Sequence, residues 1–558
     1  MTLAITDPTP AEQRLRDAFP YGREVDFTAS GTREEGGEEP VVRAEFLRAL
    51  LVDGAAADGA VAKLYARGVR ISGELDLGHA TVDAPIRLRD CVFDEQPNLY
   101  GARTRQLDLS GSQLPGLLAA GSQVDGVLRM TGCRLTAPVS LSGAQISGSL
   151  FLDRVRASGR IRLDGAGIAD ALVLTGAELR RDDTPDHEGV ALRAVNARIG
   201  GGVAGIGISA QGTVLLTGAR VEGSLNLERS AFIAPAGRAA LVATVVTVGL
   251  DLLCNEVRAE GEVRFTRSRV GGRVNFEGAR LDNPGGTALR LGGVATGAEV
   301  WAPGLSVDGQ FKLRGAQITG ALVLTGARLR HPGGPALAAD TATAAGLRMK
   351  GIEIAEGDLS LRGATFTTVH ASPGDWPDRV RLDGLTYQAL SPHLPPARRL
   401  APLARDGDGY VPHSYEQLAA AYRRSGDEPA ARTVQLAKHR HYRTTRPWYE
   451  RSWGYAQDIA VGYGYRPLRA AVCLLVLLLT GAAVFAQYPP RPVKPAEAPG
   501  FDAVFYTLDL LLPVVGFGQE SAFRPEGWCQ RLAYLLITLG WILATTVLTG
   551  VTRVLSRQ

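Results

Sequence analysis

A short hydrophobic pattern recurs along most of the chain. Two apolar residues flank one polar residue, and a small residue and another apolar residue follow after a two-residue spacer. Representative copies are LDLSGSQL at 107–114, VSLSGAQI at 139–146, LVLTGAEL at 172–179 and LVLTGARL at 322–329. A step of eleven residues separates the apolar positions Leu141, Leu152, Leu163 and Leu174, and likewise the smaller positions Ala144, Val155, Ala166 and Ala177. A fixed repeat of this kind indicates a solenoid or array.

Each copy predicts two short strands joined by a turn. Alternating apolar residues predict strands with one buried face, and the Gly or Ser between the apolar segments predicts the turn. Strands this short cannot bury their inner face alone, whereas stacked coils can, and stacking also pairs the backbone amides of successive coils. Two copies would complete a coil of about 22 residues, giving on the order of a dozen coils. The predicted fold class is therefore mainly β solenoid over residues 67–390, with small residues facing a narrow interior.

The repeat resembles the pentapeptide-repeat family and related right-handed quadrilateral β-helices. The shared pattern is Gly-Ala, then one variable and one apolar residue, then apolar-x-apolar. It extends over residues 67–390. The family's units are A-(D/N)-L-x-x with a strict period of five, from which the eleven-residue step departs. The resemblance implies a right-handed parallel β-helix and a rod-like shape, and it implies no activity.

The segments on either side of the repeat have helical patterns. Residues 1–66 form the N-terminal segment, in which 40–52 predicts a capping helix with Val42, Phe46, Ala49 and Leu50 on one face. After a Pro-rich linker at 391–412, residues 413–446 predict a pair of helices. This pair is similar to a single tetratricopeptide-type unit, and such a unit is not stable alone.

Two apolar stretches near the C-terminus predict transmembrane helices. Residues 470–488 and 532–552 carry no charge and match the ~20 residues that cross a ~30 Å hydrocarbon core. The loop 489–531 would then be external, and the tail 553–558 would lie with the N-terminus. Residues 436–469 hold seven Lys and Arg residues against two acidic ones. By the positive-inside rule, the chain is expected in the cytoplasmic membrane, N-in and C-in, with the solenoid facing the cytoplasm.

The basic and aromatic residues before the first apolar stretch predict contact with anionic lipid headgroups. They occupy the end of the helix pair and the juxtamembrane segment 447–469. The expected contact residues are Lys438, Arg440, Arg443, Arg446, Trp448, Trp453, Arg466 and Arg469.

Between the two apolar stretches, residues 501–523 resemble the pore loop of a two-helix potassium channel. Such a channel lines its filter with the backbone carbonyls of Thr-Val-Gly-Tyr-Gly. The corresponding positions here are Val514, Val515, Gly516, Phe517 and Gly518. The sequence departs from the pattern, because Val514 has no hydroxyl, Pro513 stiffens the approach and Asp509 lies within the pore helix. The alternative is a re-entrant or interfacial helix that helps the two apolar helices pack.

Composition and motifs change this picture little. The 61 basic and 57 acidic residues nearly balance, which does not favour nucleic-acid binding. Five isolated Cys residues predict neither disulfides nor a zinc site, and the N-terminus shows no signal peptide.

Gly205, Gly207 and Ala210 form a G-x-G-x-x-A motif. A phosphate cradle needs a helix after this motif, but strand repeats surround it here. Asp76, Asp164 and Asp383 lie on repeat strands, and their sequence positions do not show whether any two stand at catalytic distance.

Together these patterns predict a membrane-anchored solenoid scaffold without catalytic activity. Its expected partners are the bilayer and either another protein or a second copy of the chain. No cofactor or metal is expected. The first alternative is a channel-like or pore-forming protein with a solenoid sensor, and the second is an oxidoreductase-like enzyme.

Overall fold

The computed structural model describes residues 7–28, 40–181, 189–235, 237–445, 447, 467–494, 499–512 and 516–555. For 467–470 and 544–555 the description covers the backbone only. The chain divides into two compact units. The first comprises 1–394 and 401–409, and the second comprises 395–400 and 410–558.

The first unit is a parallel β-solenoid of about 15 turns. A representative coil has four strands, Gln123–Val124, Leu128–Arg129, Arg134–Leu135 and Val139–Ser140. Each strand pairs in parallel with the strand 22 residues later, as Leu128 does with Leu150 and Val139 with Ile161. The strands therefore stack into four columns, named here first to fourth in the order of that coil. The solenoid predicted from the eleven-residue step is confirmed.

The stack begins well before residue 67, where the repeats predict its start. The early strands Glu24–Asp26, Val41–Arg43, Leu64–Arg67 and Arg70–Ser72 begin it, and Thr386–Ser391 ends it. Several late strands run through a corner and serve two columns. They are Arg280–Arg290, Ser306–Lys312, Gln317–Val323, Arg328–Ala338, Thr343–Arg348, Glu353–Ser360 and Thr365–His370. Residues 401–409 return to the last coil, where Gly407 donates to the Val380 carbonyl at 2.8 Å.

The interior is filled as the pattern predicts. The leucines Leu141, Leu152, Leu163 and Leu174 and the smaller residues Ala144, Val155, Ala166 and Ala177 are all buried. The turn after each apolar pair has a residue at positive φ, usually Gly, as at Gly132 and Gly143. Val245 takes this turn position with φ 58°, which is strained for a β-branched residue. Cys91 and Cys133 occupy small interior positions, and burial raises their pKa to about 11 and about 12.

The N-terminal cap is partly helical. Helices α1 (Pro10–Ala18) and α2 (Ala44–Asp53) flank the strands Glu24–Asp26 and Val41–Arg43, which pair onto the first coils. The predicted capping helix is α2, with Phe46 and Leu50 buried. The placement of Val42 on that helix was wrong. Val42 is a strand residue paired with Ile71, because three residues suffice for a strand when a neighbouring coil supplies the hydrogen bonds.

The second unit is helical. Its helices are α3 (Pro396–Ala404, shared with the first unit), α4 (Pro412–Arg424), α5 (Glu428–Thr444), α6 (Pro467–Gln487), α7 (Ala503–Leu511), α8 (Gln519–Ala522) and α9 (Trp528–Leu555). The strands Arg491–Pro492 and Phe523–Arg524 pair antiparallel. The predicted helix pair is α4 and α5, with Tyr415, Leu418 and Tyr422 buried.

Candidate functional site

Helices α6, α7 and α9 pack around a core of their own. Its buried members are Phe485, Tyr506, Leu510, Leu511, Phe523, Cys529, Ala533 and Leu536. Two glycines allow the helices to approach closely. A Cβ added at Gly481 would lie 2.4 Å from the Thr507 methyl, and one added at Gly540 would lie 2.4 Å from the Leu511 carbonyl oxygen. We refer to α6, α7 and α9 with their connections as the helical hairpin.

The outer faces of the hairpin carry large apolar side chains that its core does not use. They are Val472, Leu475, Val476 and Leu479 on α6, and Tyr534, Leu535, Trp541 and Ile542 on α9, and they are 40% to 62% exposed. Exposed apolar patches of this kind mark contact with a protein, a ligand or a membrane. Within the part of the chain that the structure describes, no helix combines the length and apolarity of a membrane span.

Aromatic residues gather at one end of the hairpin. Tyr488 follows α6 and Trp528 begins α9, and their rings meet edge to face with centroids 5.3 Å apart. Both side chains are more than half exposed. Amphipathic rings of this type are enriched at membrane–water boundaries.

The loop after α7 is held by a buried carboxylate. Asp509 is 6% exposed, and it accepts hydrogen bonds from the backbone N–H groups of Phe517 and Glu520, both at 2.8 Å. Gln519 also ties the loop back, because its side chain donates to the Gly500 carbonyl at 3.1 Å. In the sequence, Asp509 is a departure from the pore-loop pattern. In the structure, it fixes the conformation of the loop after α7.

The structure places only part of the filter-like sequence. Gly516, Phe517 and Gly518 lie in the loop that Asp509 holds, with Gly518 at φ 81°. The Phe517 ring packs against Phe505 at 5.6 Å between centroids. The other two predicted filter positions, Val514 and Val515, lie outside the described residues.

The predicted headgroup contacts are only partly described. Lys438 forms an ion pair with Glu416, which also accepts from Gln435 at 2.9 Å. Burial alone would raise the pKa of Glu416, but these two donors lower it. The other predicted contact residues divide into three groups: Arg440 and Arg443 lie on α5 and have interaction partners, Arg469 lies on α6 with only its backbone described, and Arg446, Trp448, Trp453 and Arg466 lie outside the described residues.

The enzyme-like motifs have structural roles in the solenoid. Gly207 is a turn residue at φ 67°, and Ala210 is buried in the strand Ser209–Gln211. The G-x-G-x-x-A motif therefore ends inside a strand, whereas a phosphate cradle requires a helix at that point. Asp164 is ion-paired with Arg193 at 2.8 Å.

The other two candidate carboxylates, Asp76 and Asp383, also belong to the solenoid. Asp76 accepts from the Gly78 backbone and the Asn98 amide. Asp383 lies at the turn that follows the strand Val380–Arg381. Among the described residues, no group of three or more His, Cys, Asp or Glu side chains could hold a metal ion.

The first column carries a groove of about 700 Å³ that sequence reasoning did not find. Its floor follows the outward positions Gln123, Gln145, Gly167, Arg198 and Arg220, which stack in register on successive coils. The Gln145 side-chain amide lies over Gly167, because a Cβ added at Gly167 would be 2.3 Å from the Gln145 Oε1. The sequence did not reveal that these outward residues stack, because their spacing along the chain changes from 22 to 31 residues at Arg198.

Three turn-rich inserts leave the solenoid at one corner. Residues 282–286 and 330–334 lie within the strands Arg280–Arg290 and Arg328–Ala338, each of which joins the third and fourth columns. The insert near 180–189 also joins those columns, although its residues 182–188 lie outside the described part.

Comparison of the chain with protein-family models, with curated proteins and with solved structures finds no match.

Proposed function

We propose that this protein is a membrane-bound β-solenoid scaffold, in which the helical hairpin inserts into lipid and the solenoid presents its columns to a protein partner. One observation carries the proposal: bulky apolar side chains cover the outside of a hairpin that already has a buried core. Full exposure of such a side chain to water costs roughly 1.5–3 kcal/mol relative to burial, and these side chains are 40% to 62% exposed. Lipid would remove that cost without changing the packing inside the hairpin.

The neighbouring residues support the same placement. Tyr488 and Trp528 would lie at the headgroup level on one side of the bilayer. The basic segment before α6 would contact anionic headgroups on the other side. This arrangement corresponds to the cytoplasmic N-in and C-in topology derived from the Lys and Arg distribution. The open groove on the first column is one surface where an extended partner could bind.

A vesicle flotation assay tests the membrane proposal. Replacement of Leu475, Leu479 and Leu535 by Gln removes three apolar side chains that are about half exposed, at roughly 0.8–1.5 kcal/mol each. We expect the wild-type chain to float with vesicles that contain anionic lipid, and the triple variant to partition at least tenfold less. Replacement of the exposed solenoid residues Leu118 and Leu250 by Gln is the matched control and leaves flotation unchanged. Wild-type protein that stays with the soluble fraction, without detergent or vesicles, contradicts the proposal.

A channel is the second candidate, and the loop held by Asp509 favours it. A buried carboxylate that binds two backbone N–H groups fixes one side of the loop backbone. A filter requires such fixed backbone, because its carbonyl oxygens replace the hydration shell of the ion.

Ion flux in liposomes separates the scaffold from the channel. For a channel, Gly518→Ala lowers flux at least tenfold, because φ 81° strains any residue with a Cβ. Gly500→Ala is the control in the same external segment, since nothing lies within 4 Å of its added Cβ. For a scaffold alone, wild-type liposomes show no flux above empty ones.

A further inference from the structure

Three cationic side chains stack directly on one another in the fourth column. Arg264 pairs in register with Arg290, and Arg290 pairs with Lys312. Neighbouring parallel strands are about 4.8 Å apart, so the three side chains leave the column one above the next. Like charges placed opposite each other on adjacent strands are destabilising. A ladder of this kind needs a counter-charge.

The protein supplies only part of that counter-charge. Glu262 is shared by two of the cations, with Arg264 and Arg290 each at 2.5 Å. The side chain of Lys312 makes no ion pair or hydrogen bond with any described residue. Burial lowers the pKa of Lys312, and repulsion from Arg290 lowers it further, while Glu262 opposes both. On the following coil, Asp340 accepts a hydrogen bond from Ser360.

A notch lies beside the ladder at Gly292. On the coil before it, the Oγ1 of Thr266 and the Nε of Arg264 are buried without a hydrogen-bond partner. On the coil after it, Arg314 is exposed and unpaired among the described residues. An added Cβ at Gly292 would meet only the Arg314 carbonyl oxygen, at 3.6 Å. Because Gly292 has no side chain, there is room beside it. This space lies between the Thr266 Oγ1 and Arg264 Nε atoms on one coil and the Lys312 and Arg314 side chains on the other.

We propose that the notch at Gly292 binds a phosphate-type oxyanion, with Lys312 and Arg314 as its principal cations and the Thr266 hydroxyl as a hydrogen-bond donor. The chemistry fits because phosphate offers several acceptor oxygens, and charge-assisted hydrogen bonds from Lys and Arg are the strong ones. A bound dianion would also relieve the repulsion along the ladder. The phosphate could be free in solution or part of a lipid headgroup. The inference concerns the solenoid alone and does not depend on membrane insertion.

Calorimetric titration of the full-length protein in detergent with inorganic phosphate, at constant ionic strength, tests the site. We expect saturable binding to the wild-type chain, weakened at least about tenfold by Lys312→Met through the loss of a charge-assisted hydrogen bond. Lys350→Met, an exposed lysine on the second column, is the matched control and binds like the wild type. Absence of saturable binding, or equal loss in both variants, overturns the proposal.

A second variant tests the notch itself. Gly292→Asp places a carboxylate among the cations, and its Cβ meets no clash. We expect this variant to be more heat-stable than the wild type in phosphate-free buffer and to lose its response to phosphate. A variant that keeps the wild-type phosphate isotherm shows that the notch is not the site.

The source of the phosphate follows from the same titration in nanodiscs. If a lipid headgroup occupies the notch, nanodiscs that contain phosphatidic acid abolish binding of inorganic phosphate to the wild type, whereas phosphatidylcholine alone does not. If the ligand is a free phosphate, the two isotherms agree. Either result is consistent with the site and identifies its ligand. Both require that Lys312→Met removes the binding of inorganic phosphate seen in phosphatidylcholine nanodiscs.

Discussion

Phe276→Ala is expected to lower the free energy of unfolding of the solenoid by about 3–5 kcal/mol, the range for removing a fully buried aromatic ring. Phe276 is completely buried and meets Phe265 edge to face, with ring centroids 6.3 Å apart. The two residues are eleven positions apart, so they come from opposite halves of one coil and fill its interior together. No neighbouring small residue can close the resulting cavity without moving a coil that is hydrogen-bonded on both sides.

Chemical denaturation of the full-length protein, followed by circular dichroism, measures this effect. Leu250→Ala is the control, because Leu250 is 58% exposed and its truncation should change stability by less than about 0.5 kcal/mol. The double variant with Phe265→Ala should lose less than the sum of the two single losses, since both rings border one cavity. A loss below about 1 kcal/mol for Phe276→Ala would mean that the coil collapses around the gap.

Glu12→Gln is expected to destabilise the N-terminal cap by about 1.5–3 kcal/mol, the range for hydrogen bonds to a charged group, because the Glu12 carboxylate is buried whereas the Arg43 side chain is 44% exposed. Glu12 is fully buried. Its carboxylate accepts from the Arg43 guanidinium at 2.6 and 2.8 Å, from the Arg43 backbone at 2.9 Å and from the Thr9 backbone at 2.9 Å. This carboxylate therefore connects α1 to the first strands. Loss of the cap would expose the strand edges of the first coil, so the variant should also aggregate more readily.

The effect of Glu12→Gln should depend on pH. Burial alone would raise the pKa of Glu12, but the hydrogen bonds from Arg43 and Thr9 outweigh it, so the pKa is lowered. The stabilisation is therefore complete above the unfolded-state pKa of about 4.3 and is lost as the pH falls through the lower folded-state value. Thermal unfolding at pH 7 and pH 3 measures the change. Glu45→Gln, on the exposed face of α2, should match the wild type at both pH values, and a Glu12→Gln defect of equal size at both would refute this assignment.

The sequence alone determined the solenoid and its interior. A repeat of eleven residues specifies which side chains point inward, and this does not depend on the residues of the neighbouring coil. Leu141 and Ala144 could therefore be assigned to the core from their spacing. The same argument located the turns, since each must follow an apolar pair. The helices α2, α4 and α5 were also predictable, because helical periodicity is a local property of the chain. The strand Val41–Arg43 was missed, since three residues carry no periodicity of their own.

The contacts between coils were decided by the tertiary structure. Arg264, Arg290 and Lys312 are separated by 26 and 22 residues, because one insert lengthens one coil, so no fixed period reveals that they stack. The notch at Gly292 exists only because the flanking coils place Thr266 and Arg314 on either side of a residue without a side chain. In the hairpin, Asp509 is eight residues before the Phe517 amide that it binds, and only the fold of the loop brings them together. Sequence periodicity fixes which face of a strand is buried, whereas the neighbours of an outward side chain depend on the register of coils distant in the chain.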